Sequence, residues 1–487
     1  MGETITKQTI DEITAIIQKL YLEDQIPWVV GYSGGKDSTA TLQLVWNALL
    51  NLPPDKRTHK NVYVISTDTL VESPVVAAWV NLSLTRMEES AIQQSLPIKV
   101  RRLTPTIQNS FWVNLIGKGY PIPNPTFRWC TSRLKIEPSN RFIREVIAEH
   151  GETILFLGTR KAESANRART MNRYEKQRIR DFLSPNASLP NSLVFSPIEN
   201  WSNDDVWLYL MQVKNPWGHS NKDLLSMYRG ASSDGECPLV VDTNTPSCGN
   251  SRFGCWVCTL VEFDKSMAAM IQNDDEKAWL SPLLEFRNEF GDKEQDRSRR
   301  DFRRMDGKLL LYRDRLVHGP YTKYWREYWL RRLLQIQIQL HANCPEEFKN
   351  FKLINDEELR EIRKIWLTEK HEFDDRLPKI YLEVTGKKFK YADELIEGPF
   401  GASEWNILKD ICGEDEILFE LETSLLDIEQ RSKIFNLQKG ILDELENQIR
   451  RCYYEDENDA EQIAKIKDNQ KKLVQDSSFP MEECNDI

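Results

Sequence analysis

No stretch of the sequence approaches the ~18 consecutive apolar residues of a membrane-spanning helix. No membrane partner is therefore expected. The first ten residues, Met1 to Ile10, lack the apolar core of a secretory signal, so a cytoplasmic location is the expectation. Net positive charge is lacking as well: Asp and Glu outnumber Lys and Arg by 75 to 65. The resulting charge of −10 argues against bulk electrostatic adhesion to nucleic acid and does not exclude a local basic groove. Histidine is scarce, six in all, and His219, His318 and His341 stand in no ligand pattern. The phosphate loop of kinases and GTPases is missing too. Only three residues separate Gly31 from Gly35, and Asp37 follows the lysine where that loop requires Ser or Thr.

What is present is organised around Ile26 to Thr39. The apolar run Trp28 to Val30 predicts a buried parallel strand, and Ala40 to Leu50 predicts a helix. Between them lies Ser33-Gly34-Gly35-Lys36-Asp37-Ser38. Adjacent glycines let backbone approach a ligand, and the N-terminus of the new helix favours an anion. Hydroxyls of Ser33, Ser38 and Thr39 and the Lys36 ammonium complete a phosphate cradle. The strand Asn61 to Thr67 ends in Asp68, which the crevice of a doubly wound sheet would place beside the adenosine or a metal ion. Strands at Ile98 to Leu103, Thr153 to Gly158 and Leu193 to Pro197 alternate with helices at Pro74 to Ser90, Ser139 to His150 and from the N-cap Ser202 onward. A leading helix is predicted within Thr4 to Leu22, and Ser184 to Asn191 reads as a flexible loop. The fold class is α/β, with a doubly wound, mostly parallel sheet. The expected domains are 1–215 for this sheet, 216–340 for a cysteine-bearing segment with basic and aromatic helices, and 341–487 for an acidic helical extension.

Ser33 to Ser38 resembles the PP-loop of the ATP pyrophosphatases, which cut ATP between the α and β phosphates. Three further segments extend the resemblance to the phosphoadenylyl-sulfate reductase branch of that family. They are Cys130 with Lys135-Ile-Glu-Pro138, then Gly158-Thr-Arg160-Lys-Ala-Glu163-Ser164-Ala-Asn-Arg167, then Pro197-Ile-Glu-Asn-Trp201 with Asp205-Val206-Trp207. The resemblance implies ATP with Mg²⁺ as cofactor and a site built on Ser33, Gly34, Gly35, Lys36, Asp37, Ser38, Asp68, Gly158, Arg160 and Arg167. Fork-shaped Arg160 and Arg167 suit phosphate oxygens, Glu163 would orient one of them, and Lys135 would neutralise a reacting phosphate. Trp201 and Trp207 are expected in the core.

Cys237, Cys248, Cys255 and Cys258 form the second cluster of signals, the last two as a C-x-x-C turn. Four thiols so close in a chain of this class predict a metal centre. Zinc and [4Fe–4S] both accept four thiolates, and the absence of paired C-x-x-C knuckles favours the cluster over zinc. The Cys-Cys pair of the iron–sulfur reductases is missing, since Thr131 follows Cys130. The Glu-Cys-Gly tail of the cluster-free reductases is missing as well, the chain ending Glu483-Cys484-Asn485-Asp486-Ile487. The segment Cys237 to Thr259 most resembles the DndC family, the sulfurtransferase subunits of DNA backbone phosphorothioation systems. That resemblance implies DNA as substrate and a cysteine desulfurase of the DndA/IscS type as sulfur donor. It also implies the DndD and DndE subunits as partners, and a catalytic set of Lys36, Asp37, Lys135, Arg160 and Cys130. The alternatives are an adenylyl-sulfate or phosphoadenylyl-sulfate reductase, a tRNA thiolase, and a non-enzymatic, metal-stapled DNA-binding subunit.

Two arginine-rich stretches, Arg160 to Arg180 and Arg297 to Arg315, are candidates for a groove tracking a nucleic-acid backbone. The alternative is solvated loop and helix faces. Beyond residue 340 the chain predicts helices without a catalytic motif. Ile428, Ile434, Leu437, Ile441 and Leu445 could form a seam for a partner helix or an intramolecular hairpin.

Overall fold

A computed structural model of the chain describes residues 5–231, 254–394, 402–435, 440–454 and 456–476. Two compact units emerge. The first comprises Met1–Phe111, Pro123–Asn288 and Gln339–Leu353; the second comprises Trp112–Ile122, Glu289–Ile338 and Ile354–Ile487.

The first unit is built on a six-stranded sheet. Helix α1 (Lys7–Glu23) starts at a Thr6–Thr9 capping box. Strand β1 (Trp28–Gly31) and helix α2 (Lys36–Leu50) follow, then β2 (Val62–Thr67), α3 (Pro74–Gln93) and β3 (Ile98–Leu103). Next come α4 (Glu137–His150), β4 (Thr153–Phe156), α5 (Ala165–Glu175), β5 (Ser184–Pro185) and β6 (Ser192–Phe195). Helices α6 (Asn203–Gln212), α7 (Asn221–Gly230) and α8 (Lys265–Asn273) complete the labelled elements. Ser202 does cap α6, accepting from Asp205 N at 3.1 Å. Ser184 to Asn191 is not all loop: Ser184 and Pro185 pair antiparallel with Val194 and Leu193. Pro185 is tolerated there because β5 is an edge strand.

The strand order is β3-β2-β1-β4-β6-β5, parallel except for the last pair. Because chain direction around the sheet reverses between β1 and β4, their carboxyl ends splay into a crevice, and loops after both must face it. Successive side chains of β1 point to opposite faces. Trp28 and Val30 join one buried cluster with Leu42, Trp46 and Trp207, whereas Val29 joins a second with Tyr63, Ile143 and Leu155. Burial on both faces is why these strands are continuously apolar.

His219 shows how this unit uses its polar core. Its ring stacks on Trp79 at 4.0 Å, and Nδ1 lies 2.6 Å from Ser83 Oγ. Burial, helped by Arg86, pushes its pKa down to about 4. The folded value lies below the ~6.5 of an unfolded chain, so the unfolded state takes up the proton first on acidification. Stability from this site is complete above pH ~6.5 and is lost as pH falls toward 4. The expected loss at pH 4.5 is about 2–3 kcal/mol. Urea midpoints at pH 7.5 and 4.5 check it: the drop should shrink in His219→Gln, and an equal drop in both proteins would refute the assignment.

The second unit is mainly helical, including Asp356–Thr368, Arg376–Thr385, Glu416–Phe435, Ile441–Arg451 and Glu457–Asp476, with a short hairpin of Leu311–Tyr312 and Arg315–Leu316. Ile428 is buried, and the helices Glu416–Phe435 and Ile441–Arg451 pack on each other, so this part of the seam is used within the chain. Ile434 and Leu437 lie outside the residues whose side chains are described. No helix among the described residues is long and apolar enough to cross a membrane.

Candidate active site

The crevice after β1, β2 and β4 holds a cavity of about 550 Å³. Gly31, Ser33, Asp37, Ser38, Asp68, Lys135, Gly158 and Arg167 are among the residues that line it. The PP-loop segment shapes one wall. Ser38 Oγ accepts from Ser33 N at 3.1 Å, lies 3.1 Å from Ser33 Oγ and donates to Gly35 O at 3.0 Å. Those bonds curl the loop over the first turn of α2. Gly34 has φ +77°, and a Cβ there would stand 2.5 Å from Val80 Cγ2, so only glycine fits. Trp79 Nε1 donates to the Gly34 carbonyl at 3.2 Å. Gly158 lets the end of β4 pass directly beneath the loop: a Cβ would lie 2.7 Å from the Asp37 carbonyl oxygen.

Asp37 is the hub behind the loop. Its carboxylate pairs with Lys36 Nζ at 3.2 Å and with Arg160 Nε at 2.7 Å. Arg160 is buried, also reaches the Trp201 carbonyl at 3.3 Å, and is absent from the cavity lining. Its guanidinium is thus spent on holding Asp37, where the sequence placed it on a phosphate. Arg167 does line the cavity, paired to Glu163 at 2.5 Å, while Glu163 also accepts from Arg160 N at 2.9 Å. Asp68 accepts from Leu70 N at 2.8 Å and pairs with Arg102. Lys36 is not among the lining residues.

Cys130 is brought to the C-x-x-C turn rather than to the PP-loop. A second cavity, about 860 Å³, is lined by Cys130, Cys255, Cys258, Lys135 and Gly254 among others. Lys135 and Gly254 line both cavities. Lys135 sits in a π-helical turn, Thr131–Ile136, that runs into α4; such widened turns are frequent at functional sites. Coupling to the acidic groups that face it, Cys255 foremost and then Glu72, outweighs burial and raises its pKa, so it is a cation at neutral pH. The turn itself is docked on the loop after β2. Trp256 N donates to Val71 O at 3.1 Å, and Cys255 Sγ lies 3.2 Å from Thr69 Oγ1 and 3.8 Å from Glu72 Oε1. Burial and Glu72 push the Cys255 thiol up to about 12. Burial likewise raises the Cys130 thiol and the Glu72 carboxyl.

Three soft donors on one roomy cavity have the chemistry for an iron–sulfur or zinc site. Cys237 and Cys248 lie outside the described residues, and among the described residues no three His, Cys, Asp or Glu side chains are arranged to hold a metal ion. Thr69 carried one faint signal in the sequence, the polar run Ser66 to Thr69 at the end of a parallel strand; Glu72, Trp79 and Arg102 carried none.

The arginine-rich stretches are largely used within the protein. Arg178 pairs with Glu199 at 3.0 Å and Arg180 with Asp24 at 2.7 Å. Arg297 pairs with Glu457 at 2.8 Å and Arg303 with Glu420 at 3.2 Å, while Arg299 stacks on Trp325 and Trp329 at 4.8 and 5.1 Å.

Residues 27–260 match the family described as phosphoadenosine phosphosulfate reductase domain. The matched segment is just under half of the chain. It takes in the mostly parallel sheet, its crevice and the Ser33–Ser38 loop. An uncharacterized protein of Methanocaldococcus jannaschii is 32% identical over 201 residues, which is 41% of this chain and 35% of that protein. The chain thus spans about a third of that relative's length. Similar solved structures include PAPS reductase from Candida auris, at 14% identity and TM-score 0.26 over 44% of this chain and 89% of that one. The U34-tRNA thiolase NcsA from Methanococcus maripaludis, with its [4Fe–4S] cluster, is 16% identical with TM-score 0.28 over 46% of this chain and 73% of that one.

Proposed function

We propose that the protein is an ATP-dependent sulfurtransferase that activates a DNA backbone phosphate and replaces one of its oxygens with sulfur. The observation that carries the sulfur-transfer chemistry is the meeting of the PP-loop cavity and the three-thiol cavity at Lys135. DNA as acceptor follows from the likeness of the cysteine segment to phosphorothioation subunits.

In this reading an oxygen of the DNA phosphodiester attacks the α-phosphate of MgATP, and pyrophosphate leaves. The adenylated phosphate now carries AMP as a leaving group. The terminal sulfur of a Cys130 persulfide, loaded by a cysteine desulfurase, attacks its phosphorus and AMP departs. A thiol reductant then cleaves the S–S bond, leaving the phosphorothioate on DNA and Cys130 reduced. Ser33, Ser38 and Lys36 bind the departing pyrophosphate, Asp37 and Arg160 hold the loop, and Lys135 offsets charge on the reacting phosphate. Cys237, Cys248, Cys255 and Cys258 would hold a [4Fe–4S] cluster, with zinc as the alternative. A bound cluster would supply thiolate-ligated iron with affinity for sulfur.

With ATP, DNA, cysteine and a cysteine desulfurase, the protein should release pyrophosphate and AMP and place sulfur in DNA, and Lys36→Ala should abolish both. Pyrophosphate release by Lys36→Ala at the wild-type rate, or sulfur appearing in tRNA and not in DNA, would overturn the assignment.

A further inference from the structure

Tyr228 lies on α7, far in sequence from the phosphate loop, yet it meets the loop at Lys36 and closes the space beside Gly35. Lys36 N, the first amide of α2, donates to its hydroxyl at 3.3 Å. A Cβ on Gly35 would meet the same hydroxyl at 3.2 Å. The Lys36 ammonium stands over the Tyr228 ring, 5.4 Å from its centroid. Trp207 packs edge-on against that ring at 5.1 Å and fixes its plane. Only 7% of Tyr228 is exposed, so the contact is built into the core and does not depend on a mobile surface side chain.

The chemistry of this contact suits a lysine that must be handed to a phosphate. A helix's first amide has no partner within the helix, and an unmet donor lets the loop fray. The hydroxyl supplies that partner and so holds the loop's curvature. An aromatic face attracts an ammonium through its quadrupole without forming a second ion pair. Asp37 already takes one side of the Lys36 ammonium and is itself shared with Arg160. A second carboxylate in place of the ring would hold the lysine against leaving, and an aliphatic side chain would leave it disordered in water. The ring keeps it charged, ordered and weakly held.

We infer that Tyr228 is a positioning residue for the nucleotide site, acting through Lys36: its hydroxyl sets the loop amide and its ring presents the ammonium to the β,γ-phosphates. This rests on the reading of Ser33 to Ser38 as the nucleotide loop.

The test uses the full chain and α,β-methylene-ATP, which cannot be cut between the α and β phosphates, with calorimetric Kd and thermal midpoint as readouts. Tyr228→Phe keeps the ring and should weaken binding about three-fold, the cost of one hydrogen bond. Tyr228→Leu removes both contacts and should weaken it about thirty-fold. In a Lys36→Met background the extra loss from leucine over phenylalanine should vanish, which a purely structural tyrosine would not produce. Wild-type Kd in both Tyr228 variants, or the same leucine penalty with and without Lys36, would overturn the inference. If Tyr228→Leu does not fold, an unchanged Kd in Tyr228→Phe overturns it alone. If the wild-type protein itself fails to bind the analogue, the nucleotide-loop reading falls and takes this inference with it.

Discussion

Gly158→Ala is expected to lower pyrophosphate release about a hundred-fold while leaving a folded protein. The position follows β4 and passes beneath the first turn of α2, where an added methyl would sit 2.7 Å from the Asp37 carbonyl oxygen, 2.8 Å from its carbon and 3.0 Å from Ser38 N. All three are backbone atoms, so no flexible side-chain end can swing aside. Either the strand end or the loop must retreat. The loop is the softer of the two, because β4 is hydrogen-bonded on both sides, to β1 and β6. A displacement near 1 Å at a phosphate-positioning loop costs about 10²-fold in rate. Overpacking should also remove about 1–3 kcal/mol of stability. Steady-state pyrophosphate release and a urea titration check both, and a variant with wild-type turnover would show that the loop's position does not control the chemistry.

The second large effect is expected at Arg160. Replacing it with methionine keeps much of the volume and removes the 2.7 Å partner of Asp37 and the donor to the Trp201 carbonyl. Breaking a buried pair from one side strands the remaining charge, and such losses run to about 3–5 kcal/mol. Asp37 keeps Lys36 at 3.2 Å and some solvent, which places the expected loss near the lower end, about 3 kcal/mol. The freed carboxylate would then draw the Lys36 ammonium fully to itself, away from any phosphate. Nucleotide affinity should therefore fall together with stability. Arg160→Lys should recover part of the stability and little of the affinity, because a single ammonium cannot bond Asp37 and Trp201 in the fork geometry. Urea midpoints and nucleotide Kd for both variants decide this. Unchanged affinity in Arg160→Met would mean that Asp37 does not govern Lys36.

Much of the first unit was legible from local pattern. The apolar runs at Trp28 and Val62 bury both faces in a parallel sheet, and period-3.6 spacing locates α1. Ser202 and its Asp205 announce the start of α6 by local hydrogen bonding alone. The PP-loop is likewise local, since strand, glycine pair and helix start are adjacent in the chain. What local pattern could not show was pairing over distance. Arg178, Arg180, Arg297 and Arg303 read as a basic surface because their partners, Glu199, Asp24, Glu457 and Glu420, come from other elements. Tyr228 carries no signal of its own in the sequence; its role shows only once α7 is laid against the loop.

By itself, then, the sequence determined the glycine-bearing loop between β1 and α2, the parallel sheet that carries it and the C-x-x-C spacing of Cys255 and Cys258. These depend on neighbours within a few residues, through backbone hydrogen bonds, glycine sterics and side-chain periodicity. The tertiary structure alone decided that Arg160 serves Asp37 from beneath the loop, that Cys130 joins Cys255 and Cys258, and that Lys135 stands where the two cavities meet. The physical reason lies in the order of the strands. Reversal between β1 and β4 opens the crevice at the carboxyl ends of the sheet, and there side chains more than a hundred residues apart in sequence, Asp37 and Arg160 among them, come to face one another.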